Sequence, residues 1–115
     1  MKLNWDIKGI KELTHVDKKY GAKLIMRESE GILVSLFNSG EVQIDRSKAK
    51  KVLVCEPKLL KKGLFAFMSE NEEPLSQPAG ELNIPLVFEF SKRDSDTFYL
   101  MYSVLKDNGF EMLFE

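Results

Sequence analysis

Five short apolar runs separated by turn-forming residues fill the middle of the chain. They constrain the fold more than any other feature of the sequence. They read AKLIMRE (22–28), ILVSLF (32–37), EVQID (41–45), KVLVCE (51–56) and LFAFM (64–68). Each is too short for a stable helix and rich in the branched and aromatic side chains that suit a pleated surface. The separators explain the spacing. Asn38-Ser39-Gly40 fits a three-residue hairpin in which Gly40 takes the left-handed position. Ser29-Glu30-Gly31 reads as a second turn, and Pro57 ends the fourth run. Such a series builds an antiparallel meander, not a bundle.

The flanks read differently. NWDIKGIKELTHVDKKYG (4–21) is expected to be an amphipathic helix. At 100° per residue Trp5, Ile7, Ile10, Leu13 and Val16 share one side, and His15 lies among the lysines on the other. PKLLKKG (57–63) suggests one helical turn with Leu59 and Leu60 pointing inward. LVFEF (86–90) is a further strand. RDSDTFYLMYSVLKDNGF (93–110) is a second helix closed by Gly109, and FEMLFE (110–115) is a last strand with Phe110, Met112 and Phe114 on one face. The stretch between, 69–85, holds three prolines and four glutamates, and is expected to be a mobile loop without structure of its own. The fold class expected is α+β: residues 1–115 form a single domain, a mostly antiparallel sheet of six or seven strands with two helices on one face.

Chemistry is sparse. The chain has one histidine and one cysteine, too few for a structural zinc site, and no cofactor is expected. His15 is expected on a wet helix face without an orienting partner, and Cys55 inside an apolar strand as an inert thiol. No phosphate-binding glycine motif, calcium loop or nucleophile elbow is present. The lack of a disulfide framework and of a signal-like apolar stretch points to a cytoplasmic protein, with no membrane partner expected.

Charge supplies the candidate sites. Residues 46–62 carry Arg46, Lys48, Lys50, Lys51, Lys58, Lys61 and Lys62 against Glu56 alone, in a chain of net charge −1. The acidic stretch answers with Glu70, Glu72, Glu73 and Glu81. The expected function is therefore non-enzymatic. A partner protein is bound, in an inhibitor, adaptor or immunity-type role, through Glu70, Glu72, Glu73 and Glu81 with Trp5 and Tyr99 as aromatic anchors. The alternative is nucleic-acid binding by the seven cations, which lack interleaved aromatics for stacking. A further alternative is an enzyme whose carboxylates converge only on folding. Oligomeric state is left open.

Overall fold

In the computed structural model, residues 11–18, 21–36, 40–79 and 81–115 are described. The first four strands, β1 (Glu12–Asp17), β2 (Ala22–Arg27), β3 (Gly31–Ser35) and β4 (Glu41–Gln43), form an antiparallel sheet in sequence order. A second sheet has the order β10-β5-β6-β9, built from β5 (Lys51–Cys55), β6 (Gly63–Met68), β9 (Val87–Phe90) and β10 (Glu111–Phe114). Strands β7 (Ser76–Ala79) and β8 (Leu82–Pro85) make a separate hairpin between β6 and β9.

One helix follows. A 3-10 turn, Lys92–Asp94, runs into α1, Ser95–Asp107. Strand β10 is parallel to β5, and β5 and β9 are each antiparallel to β6, so β9 and β10 run the same way. Parallel strands of one sheet need a long crossover, and α1 is that crossover. Its buried residues Phe98, Met101, Val104 and Leu105 recur at helical spacing. It ends in a Schellman motif: the Phe110 N–H donates to Leu105 O, the Gly109 N–H donates to Lys106 O, and Gly109 takes φ 86°.

A single core joins these parts. Val52 and Val54, Phe65 and Phe67, and Phe88 and Phe90 share the inner face of the second sheet, where α1 and the first sheet meet them. Phe65 stacks on Phe98 with ring centroids 4.5 Å apart, and Phe90 meets both edge-on. The outer face of the same sheet carries the row Leu113, Leu53, Ala66 and Val87, all half-buried.

The expectation of two helices on one sheet is corrected: the protein is mostly sheet, with ten strands in three sheets and one helix among the described residues. Residues 12–17 are a strand, while 4–10, 19 and 20 of the expected first helix lie outside the described residues. Alternation decides for the strand, because Leu13, His15 and Asp17 are buried and Glu12, Thr14 and Val16 are exposed. Two of those three inward residues are polar, which hid the period of two. Residues 69–85 also differ from expectation, since they contain the β7–β8 hairpin. Ser69 organises the preceding turn: its N–H donates to Glu73 O, its carbonyl accepts from the Glu72 N–H, and its hydroxyl accepts from the Glu73 N–H.

One exposed ion cluster ties the first sheet together. Arg27 on β2 reaches Glu12 on β1, Glu41 on β4 at 2.8 Å, and Glu30 in the turn. The hydrogen bonds from Arg27 hold the Glu12 and Glu41 carboxyls below the usual carboxylate range. A depressed carboxylate contributes stability above its unfolded-state pKa and loses it as pH falls through the folded value. Arg27→Gln is therefore expected to lower the urea midpoint at neutral pH, with the gap to wild type closing below about pH 4. A gap that stays constant with pH contradicts the assignment.

Candidate partner-binding surface

The two free edges of the second sheet are treated in opposite ways. On β9, Glu89 turns its backbone away from β6, towards β1. There Asp17 accepts from the Glu89 N–H at 2.9 Å, and His15 Nε2 contacts the Glu89 carbonyl oxygen at 2.6 Å. His15 also stacks on Phe90, with ring centroids 3.7 Å apart and planes 13° from parallel. Both side chains are buried. Contact with a carbonyl assigns the proton to Nε2. His15 is thus a structural clasp between sheets, not the solvated residue expected.

On β10 nothing of the kind occurs among the described residues. The N–H of Glu111 donates to the carbonyl of Lys50, just before β5, and that of Glu115 to Val54 O on β5. Alternation along the strand then points the N–H and C=O groups of Met112 and Phe114 outward. An unpaired row of this sort is a template for another strand. Beside it Phe114 is 63% exposed, and its ring tilts against Tyr102 at 5.9 Å. Val54, Glu56, Phe98, Tyr99, Tyr102 and Phe114 line a cleft of about 290 Å³. Tyr99, one of the expected anchors, is 43% exposed at its rim. Phe114 was expected to share a face with Met112, and the register with Val52 and Val54 puts it there. β10 is an edge strand, so Phe114, opposite Val54 in register, has no strand on its outer side among the described residues and stands exposed against Tyr102 of α1.

The remaining candidates fall elsewhere. Glu70, Glu72, Glu73 and Glu81 are exposed, with Glu81 in the β7–β8 turn and the others beyond the end of β6. Among the described residues the acidic and basic stretches meet where Lys51 pairs with Glu72 at 3.4 Å, and Lys51 also pairs with Glu111 of β10 at 3.3 Å. Burial opposes the charge on Lys51, but the bonds to Glu111 and Glu72 outweigh it and raise its pKa. Arg46 lies over the Phe110 ring at 3.7 Å and donates to Asn108 O at 3.0 Å. Burial lowers its pKa, and its Nε has no hydrogen-bond partner. Arg46, Lys48, Lys50 and Lys51 therefore stand at one end of β5 and Lys58, Lys61 and Lys62 at the other. The seven cations do not form one surface. Trp5 lies outside the described residues.

The Pro57–Gly63 segment is not helical. Lys58 and Lys61 pair through two backbone hydrogen bonds, N–H to O at 2.8 and 3.3 Å, closing a tight turn. Leu59 and Leu60 occupy its tip and are 84% and 97% exposed, opposite to expectation. Cys55 is buried, as expected. It shares the outer face with Leu53, whereas His15 stacks on the inner-face residue Phe90, so thiol and imidazole lie on opposite sides of the sheet. Among the described residues no group of three or more His, Cys, Asp or Glu side chains is placed to hold a metal ion, and no helix is long and apolar enough to cross a membrane. No family model, curated protein sequence or solved structure matches this chain.

Proposed function

We propose that this protein is non-enzymatic and acts by binding a partner protein, in an inhibitor, adaptor or immunity-type role. The partner adds an extended segment to the outer edge of β10 and sets an apolar side chain into the cleft between Tyr99, Tyr102 and Phe114. The observation that carries this reading is the contrast between edges among the described residues: β9 is closed by His15 and Asp17, and β10 is open beside an exposed aromatic. A second copy is a poorer occupant. Pairing Met112 with Phe114 of another copy sets Glu111 against Glu115 at both ends, and like charges directly opposite destabilise a strand pair. Of the acidic residues first expected to make the contact, Glu72 is engaged by Lys51.

The test separates side chain from backbone. Phe114→Ala removes the ring, while Phe114→Pro also removes an N–H that faces away from β5 and leaves the ladder to β5 intact. A partner captured by the wild-type protein is expected to bind Phe114→Ala about tenfold more weakly, and Phe114→Pro more weakly again. Equal capture by all three proteins contradicts the proposal.

A further inference from the structure

We infer that the Pro57–Lys62 turn docks the protein onto an anionic lipid surface. The first ground is the leucine pair. Two adjacent leucines stand almost wholly in water at the tip of a closed turn, and neither contributes to the core. The turn has no slack with which to fold them back. Pro57 is buried at its base, and a Cβ on Gly63 would lie 2.5 Å from Pro57 N and 2.7 Å from Cys55 O. The backbone pairing of Lys58 with Lys61 then holds Leu59 and Leu60 outward.

The second ground is charge. From Pro57 to Lys62 the turn has three exposed cations, Lys58, Lys61 and Lys62, and no acid. Register adds two more at the same end of the sheet. Gly63 pairs with Phe90, so the exposed Lys92 and Arg93 follow β9 out on that side. Carboxylates share this end: the exposed Glu56 and Glu115 line a cleft with Lys58 and Lys61, and Asp94 accepts from the Ser91 hydroxyl, but none lies within the Pro57–Lys62 turn itself. Asp96 lies in the first turn of α1. An apolar tip ringed by lysines matches a bilayer boundary, where the leucines enter the acyl region and the ammonium groups reach the phosphates. A nucleic acid would satisfy the cations and leave the leucines exposed. The chain's net charge of −1 offers no general attraction to such a surface, so the effect is local to this end.

This inference does not rest on the β10 reading, and its test uses different residues. Co-sedimentation with phosphatidylcholine vesicles, with and without phosphatidylserine, is the measurement. Binding is expected only with phosphatidylserine and should weaken with salt. The double variant Leu59→Ser, Leu60→Ser should bind at least about tenfold more weakly. The triple variant Lys58→Gln, Lys61→Gln, Lys62→Gln should lose about a hundredfold, at roughly fivefold per lysine. All five positions are exposed, so unchanged circular dichroism is the folding control. The inference is overturned if wild-type protein ignores phosphatidylserine vesicles at low salt, or if the leucine variant binds them unchanged. Retention on single-stranded DNA without vesicle binding overturns it in favour of a nucleic-acid partner.

Discussion

Gly63→Ala is expected to destabilise the protein by about 3 kcal/mol, near the upper end for overpacking, or to prevent folding. The added Cβ would lie 2.5 Å from Pro57 N, 2.6 Å from Pro57 Cδ and 2.7 Å from Cys55 O. Two of these are backbone atoms and the third belongs to a buried proline ring, so no flexible side chain can move aside. Relief requires shifting the chain where β5 leaves and β6 begins, and both strands carry core phenylalanines or valines. Gly40→Ala is the matched control. Gly40 does not take the left-handed φ its place in the turn suggested and a Cβ there meets nothing within 4 Å, so the expected change is within about 0.5 kcal/mol. Urea denaturation of the two variants measures both. A Gly63→Ala protein as stable as Gly40→Ala would refute the close approach of turn and strand.

His15→Ala is the second large effect, also about 3 kcal/mol. Three losses coincide. The imidazole leaves a cavity against Phe90, the stacked contact disappears, and the Glu89 carbonyl loses its partner at a buried edge. The substitution His15→Phe separates them. It keeps an aromatic ring on Phe90 and removes only the polar contact, so its cost should be about 1–2 kcal/mol. A surface histidine would give nearly nothing in either case. Chemical denaturation of both variants therefore decides between the clasp and the solvated helix face.

Much of the sheet was legible because inward and outward residues alternate with apolar and polar chemistry. In β9, Phe88 and Phe90 are buried while Val87 and Glu89 are half-exposed, and α1 announces itself through Phe98, Met101 and Leu105 with Gly109 at its end. Strand β1 was illegible for the converse reason. Its inward positions include His15 and Asp17, whose partner is the backbone of Glu89, seventy-odd residues away. No local pattern reports such a partner. The same limit applies to the candidate surface. Leu59 and Leu60 look like core residues until the Lys58–Lys61 pairing turns them out, and the exposure of Phe114 depends on β10 lying at a sheet edge. The partial exposure of Tyr99 follows from its place at the margin of the helix's polar face, which is a local property. The four glutamates of 69–85 drew notice by composition, yet composition could not show that Lys51 engages Glu72.

Amide hydrogen exchange along β9 and β10 tests the central claim most directly. The account predicts alternation on β10 in the free protein: Leu113 and Glu115, turned towards β5, exchange slowly, and Met112 and Phe114 exchange fast. On β9 it predicts a slow Glu89 amide, held by Asp17 although it points away from β6. Slow exchange at Met112 and Phe114, or fast exchange at Glu89, would mean that the open and closed edges have been assigned the wrong way round.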